Sequence, residues 1–367
     1  MRGTTLLIPF LIAPVASAQF LLQGSGSNAS LRGISVGDAR GQVAWASGTA
    51  GTILRTLDGG AHWSACAVPP DAGKLDFRGI QAFDSRTAVV MSSGKGDASR
   101  VYKTVDGCAS WKLILANPDA PDGFFDAIVF NNRNEGWVLG DPVKGHFYLA
   151  NTQDGGQTWL RSKADGLQAT SAGGAFAASN QSLLLSLLGP VFGGGGARLY
   201  RGVWPQCSQS TSYNDPGQCL DRIWFTPAQL PLAGANGSSG IFALAENMHT
   251  VVAVGGDYTA PDAPAGTAAW SADEGITWHA ATMLPHGYRS SVAYSVDLNA
   301  WIAVGPNGTD ISRDDGRSWQ PLLPNAAKGD APDADRAWNA LALPFVVGSK
   351  GRIGKLRADA LTQTTTK

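Results

Sequence analysis

Glutamate is almost missing from this 367-residue chain: only Glu135, Glu246 and Glu274 are present. Methionine is down to 4 residues and charged residues to 16%, where an average soluble domain has about 25%. The best helix formers are therefore among the scarce residues, which excludes a mainly helical fold. Net charge is -1. That leaves no bulk excess of cations to hold a phosphate backbone, so nucleic acid is not expected as a partner. Low charge with 44% hydrophobic residues also excludes disorder. What is plentiful is glycine, 46 residues, and tryptophan, 12. Those residues, with abundant Ser and Thr, point to a turn-rich β protein.

The N-terminus carries Met1-Arg2, an apolar run from Leu6 to Val15 and then Ala16-Ser17-Ala18. A positive start, a short apolar stretch and an A-x-A site read as a signal peptide, residues 1–18, cleaved after Ala18. Roughly ten apolar residues cannot cross a core of about 30 Å, so no membrane span is expected after cleavage. An exported protein, periplasmic or extracellular, is the expectation. Four cysteines remain, an even count that suits disulfides in that setting. Cys207 and Cys219 flank a polar loop and are expected to pair, which leaves Cys66 and Cys108 for each other. There is no C-x-x-C, and the five histidines show no ligand spacing. No metal and no cofactor are expected.

One phrase recurs five times: TLDGGAHW, TVDGCASW, TQDGGQTW, SADEGITW and SRDDGRSW. Its aspartates are Asp58, Asp106, Asp154, Asp273 and Asp314, and it ends on Trp63, Trp111, Trp159, Trp278 and Trp319. The Asp spacings are 48, 48, 119 and 41, so the long gap hides a degenerate unit. The carboxylate is expected to accept backbone N–H groups two residues on, glycine to supply a positive φ, and tryptophan to fill space between sheets. Around each phrase lie four short strands, here a to d, as in LRGISV, VAWASG, GTILRT and WSACAV. Four strands per 40–50 residues is the β-propeller period.

Seven such units can be counted. The fourth is read as FAAS, SLLLSLL, ARLYRG and IWFTPAQL, with an inserted loop over 204–220 in place of the phrase. The seventh has only three strands, WNALAL, PFVVGS and GRIGKLR, and the orphan FLLQGS at the other end supplies its outer strand. The expected fold is an all-β, seven-bladed propeller over 19–360, closed by its N-terminal strand, with a frayed tail over 361–367.

The phrase resembles the Asp-box, or BNR, repeat of sialidases and sortilin-type receptors. The longer stretches WASGTAGTILRTLDGGAHW and VGPNGTDISRDDGRSW resemble blades of the photosystem II stability/assembly factor family. That resemblance implies a non-catalytic scaffold that binds a protein partner, since members in phototrophs assist assembly of a reaction-centre protein.

In such a ring the inner strands a surround a channel, and their first residues surround its mouth. Aligned, these are Arg32, Arg78, Asp126, Arg289 and Asn339, with Tyr288 beside Arg289 and Arg336 three residues before Asn339. Converging arginines would make an anion-binding funnel for carboxylates or acidic protein loops. The competing expectation pairs them with Asp76, Asp122 and Asp333 in the d–a connections. The b–c loops on the same face include GPVFGGGG and GGDYTAPDAPAG, whose Val191, Phe192, Tyr258 and Pro261 would add apolar contact. The alternative function is a sialidase-like exo-glycosidase or a carbohydrate-binding propeller. The enzyme would need three Arg, a nucleophilic Tyr and a Glu partner. Here LRGI stands where the resemblance implies Arg-Ile-Pro, and all three glutamates are expected on the Asp-box face, away from the mouth.

Overall fold

The computed structural model describes residues 20–163, 165–169, 173–204 and 223–357. The expected signal peptide, the expected Cys207–Cys219 pairing and the tail expected to fray lie outside the described residues. Seven four-stranded antiparallel sheets follow one another around a ring. The seventh takes its outer strand from the other end of the chain: Phe20–Gln23 pairs with Ile353–Leu356. The ring therefore closes by main-chain hydrogen bonds and leaves no open seam. No helix among the described residues is long and apolar enough to cross a membrane.

The core is a set of seams between blades. Trp45, Ile53, Phe77, Ile80, Tyr102 and Trp111 fill the seam between blades 1 and 2. Trp137, Phe147, Leu183, Phe192, Tyr200 and Phe225 fill that between blades 3 and 4. The Asp-box tryptophans serve this packing. Trp63 meets Phe345 of blade 7 edge-on at 5.7 Å, Trp111 meets Trp45 of blade 1 at 6.4 Å, and Trp159 meets Phe130.

The five boxes share one hydrogen-bond plan. In the first, Thr56 Oγ1 donates to Asp58 Oδ1 at 2.8 Å and accepts from Gly60 N at 2.9 Å, while Asp58 Oδ1 accepts from His62 N at 2.9 Å. The same three bonds recur at Thr104, Thr152, Ser271 and Ser312. The aspartate thus reaches four residues on, not two, because it spans the whole turn. Two successive positive-φ residues make that turn, Gly59 and Gly60 in the first box. In the second box Cys108 takes the place of the second glycine, at φ 66°, and its sulfur bonds Cys66 of blade 1. The expected Cys66–Cys108 bridge therefore joins two neighbouring blades.

Blade 4 departs from the expected strands. Its sheet is Leu183–Ser186, Gly189–Gly193, Arg198–Val203 and Trp224–Gln229. GPVFG is thus the second strand and not a rim loop, and Val191 and Phe192 are buried. Glycine is needed there because backbone and side chains of neighbouring strands approach too closely for a Cβ, as Ile241 does at Gly193. FAAS does not form the first strand. Ala175 makes a bridge to Gly194, the chain then leaves the sheet over 177–181, and pairing resumes at Leu183.

Candidate functional site: a ring of seven strand-a positions

At the start of strand a the register slips in five blades. The slips fall between Leu31 and Gly33, Phe77 and Gly79, Phe125 and Ala127, Ile241 and Ala243, and Trp338 and Ala340. Each is a β-bulge, which leaves one residue unpaired and re-aims its side chain. The residues so placed are Arg32, Arg78, Asp126, Phe242 and Asn339. A steric relation that recurs from blade to blade extends the set. In blades 1, 3, 5 and 7 a Cβ on the facing glycine of strand b (Gly48, Gly140, Gly255, Gly348) would strike the carbonyl two residues before the bulge position. Gly194 stands in this relation to Gly174, and Gly305 to Tyr288. Phe176 of blade 4 and Ser290 of blade 6 are therefore the equivalent residues.

All seven line one cavity of about 550 Å³ at the channel mouth. The ring is polarised. Blades 1 to 3 contribute Arg32, Arg78 and Asp126; blades 4 and 5 contribute Phe176 and Phe242; blades 6 and 7 contribute Ser290 and Asn339. Tyr288 and Tyr258 widen the aromatic side. Phe176 and Phe242 are stacked, and Phe242 is edge-on to Tyr288 at 4.7 Å and to Tyr258 at 6.1 Å.

The cationic side is only partly neutralised. Arg78 Nε donates to Asp76 Oδ2 at 2.8 Å and Nη1 to the Ala177 carbonyl at 3.2 Å. Arg32 Nε lies 3.6 Å from the same Asp76 oxygen, too far for a hydrogen bond. One carboxylate therefore serves two guanidiniums. Arg32 Nε and Asp126 Oδ2 are buried without a protein hydrogen-bond partner. Burial, and then the like charge of Arg78, lower the Arg32 pKa, although a guanidinium stays protonated. Burial pushes the Asp126 carboxyl well above its ordinary range, Asp141 adds to the push, and Arg78 opposes it. Burial also raises Asp141, against a hydrogen bond from Ala175 N. Burial thus favours the protonated form of Asp126, which can donate as well as accept.

The structure brings together Arg32, Arg78, Asp126, Tyr288 and Asn339 and leaves out two expected members. Arg289 is fully buried behind the cavity wall. Its Nε donates to Asp310 Oδ2 at 2.7 Å, and Nη1 donates to Asn307 Oδ1 at 2.6 Å. The alignment that placed it on the rim is one residue out. Arg289 corresponds to Leu31, Phe77, Phe125, Ile241 and Trp338, all buried in the seams, and Ser290 holds the rim position. Arg336 lies outside the cavity wall, ion-paired with Asp335 at 3.2 Å. The competing expectation holds in part: Asp76 pairs with both rim arginines, whereas Asp122 meets Lys95 and Asp333 meets Arg352. Phe176, Phe242 and Ser290 escaped sequence reading; the strand-b glycines are the signal that would have found them.

The excursion of blade 4 lines the cavity through Ala177 and Ala178, and the next residues tie it to other blades. Asn180 exchanges two hydrogen bonds of 2.8 Å with the Ile128 backbone in blade 3. Gln181 accepts from Leu244 N of blade 5 through its backbone carbonyl, and from Val292 N and Ser291 Oγ of blade 6 through its side chain. Its Nε2 donates to the Leu341 carbonyl of blade 7 at 3.4 Å. Two adjacent residues thus tie four other blades across the axis.

The three glutamates bond at the other face: Glu135 to Asn132, Glu246 to Ser186 and Glu274 to His249. None lines the cavity, so Tyr288 has no glutamate beside it, and burial raises its pKa, with Arg32 opposing.

No protein-family model matches the chain, and no curated protein matches it. Solved structures of the same architecture do. YCF48 bound to D1 peptide superposes with a TM-score of 0.59 and 17% identity, over 92% of this chain and 97% of that one. YCF48 from Cyanidioschyzon merolae gives 0.61 and 17%, over 93% and 100%. At that identity the likeness speaks for the seven-bladed fold alone.

Proposed function

We propose that this protein is a non-catalytic propeller scaffold, exported from the cell interior, that captures a protein partner at the channel-mouth face. The observation that carries this reading is a ring of seven equivalent strand-a positions, five of them β-bulges. Each blade aims one side chain at the same cavity, and two of its polar atoms, Arg32 Nε and Asp126 Oδ2, are left unpartnered. Buried polar atoms without partners are costly unless a ligand supplies the missing bonds. Arg32 and Arg78 would hold carboxylates of the partner in a partly desolvated setting, where charge-assisted bonds are strong. A propeller of the same architecture is bound to a peptide, which supports a protein partner here. Assembly or stabilisation of a membrane or envelope complex is the role we assign to the capture.

The test is capture from a native extract by the immobilised protein. The Arg32→Ala/Arg78→Ala double variant should lose the partner while unfolding at the same temperature. Equal recovery by both forms overturns the reading.

A further inference from the structure

We infer that the mouth cavity is a blind pocket for one carboxylate joined by a short tether to a planar apolar group, entering end-on. This inference rests on the reading that the cavity is the binding site, and it specifies what the cavity selects.

The crossing of the axis comes first. In a propeller with an open axis a chain could thread from face to face. Here Asn180 and Gln181 are hydrogen-bonded to blades 3, 5, 6 and 7 at once. Displacing them would break several part-buried bonds together, so the bound group enters and leaves by the mouth. A volume of about 550 Å³ suits a small ligand or a single chain end, within the usual range of about 300–1,000 Å³.

The walls then divide the ligand into two parts. On one side Arg32 and Arg78 share Asp76, so the guanidiniums outnumber their carboxylate. An incoming carboxylate completes that set, and Asp126, whose protonated form burial favours, can donate to it instead of repelling it. On the opposite side Phe176, Phe242, Tyr258 and Tyr288 form a continuous aromatic surface. Tyr258 is its wet edge, 53% exposed. Aromatic faces and edges gain from a planar partner beyond simple burial. Phe242 and Tyr288 are already buried, so a ligand with only the anion would leave Phe176 and Tyr258 wet, and one with only the ring would leave the buried Arg32 Nε unpaired.

This chemistry has two sources, a free aromatic carboxylic acid and the last residue of a polypeptide. The experiment is titration calorimetry on the full protein with five probes. These are N-acetyl-phenylalanine, its amide, N-acetyl-alanine, a hexapeptide ending in Phe with a free carboxylate, and a hexapeptide with Phe-Asp in its middle and an amidated end. The free acids with a ring, small or peptide, should bind. Removing the charge or the ring should weaken binding by about tenfold or more, the size of a charge-assisted bond or a buried ring. A hexapeptide tighter than N-acetyl-phenylalanine assigns the site to chain ends, and the reverse order assigns it to free acids; both support the inference. Equal binding of the amide, or of the peptide with internal Phe-Asp, overturns it. Phe176→Leu, which keeps an apolar side chain, should lose the preference for the ring over the methyl group. If all probes fail while partner capture still depends on Arg32 and Arg78, the inference falls and the proposed function stands. If capture is also independent of them, both fall.

Discussion

Arg289 and Asp310 form an ion pair in which neither side chain is exposed at all, with Nε to Oδ2 at 2.7 Å. Arg32, one position further along its own strand in the repeat, keeps 30% of its side chain exposed at the cavity. Two arginines that look equivalent in the sequence therefore have opposite duties. Removing one partner of a fully buried pair costs about 3–5 kcal/mol, because the other charge is stranded. Arg289→Ala should lower stability by that amount in urea unfolding. Arg32→Ala should change it by less than about 1 kcal/mol. Equal losses would show that Arg32 is a structural residue too.

Asp126 gives a pH prediction of definite sign. Its folded-state pKa is raised above an unfolded value of about 3.9. Above that value the unfolded chain releases the proton while the folded protein keeps it, so stability falls as pH rises towards the folded pKa. Asp126→Asn removes this penalty. The variant should be more stable than the parent at pH 7, with the difference vanishing below about pH 4. Unfolding curves at the two pH values check this. A variant less stable at pH 7 would mean that Asp126 is an ionised partner of Arg78.

The boxes act in the opposite direction. Hydrogen bonds from the Ser110 side chain and backbone, and from Thr104, hold the Asp106 carboxyl down at about 2. The stability linked to this depressed pKa is present above the unfolded value of about 3.9 and is lost as pH falls through the folded one. Acid unfolding should therefore steepen between about pH 4 and 2. Asp106→Asn should flatten that part of the curve when followed by tryptophan fluorescence. An unchanged acid limb would contradict the role given to the box.

The Cys66–Cys108 bridge closes a loop of 42 residues, for which chain entropy gives roughly 4 kcal/mol. Replacing both cysteines should cost about that much. Because Cys108 has φ 66°, Cys66→Ala/Cys108→Gly should be about 1 kcal/mol more stable than Cys66→Ala/Cys108→Ala. Thermal unfolding of the two double variants measures the difference, and the reverse order would contradict it.

Most of the architecture was legible because it is written locally and repeated. The five boxes mark c–d turns, and the incomplete last unit with the orphan Phe20–Gln23 strand marks the closure. The ring of strand-a positions was half legible. Arg32, Arg78, Asp126 and Asn339 follow from aligning strand starts, but a bulge has no sequence letter of its own, and blade 6 slid by one residue onto Arg289. Blade 4 was misread for a physical reason. FAAS has strand-like composition yet crosses the axis, because Asn180 and Gln181 find their hydrogen bonds on other blades. GPVFG looks like a loop yet is a strand whose glycines make room for neighbouring chains.

The other face sharpens the alternatives. Leu187, Met248 and Val296 stand at the a–b turns of blades 4, 5 and 6, each at least 75% exposed. Exposed apolar side chains on successive blades are a rival contact surface.

Hydrogen–deuterium exchange of the protein with and without its captured partner decides between the two faces. Exchange should slow around Arg32, Arg78, residues 175–181 and the Tyr258 loop, with the hairpins at Leu187, Met248 and Val296 unchanged. Protection confined to those hairpins, with the mouth exchanging as in the free protein, would contradict it.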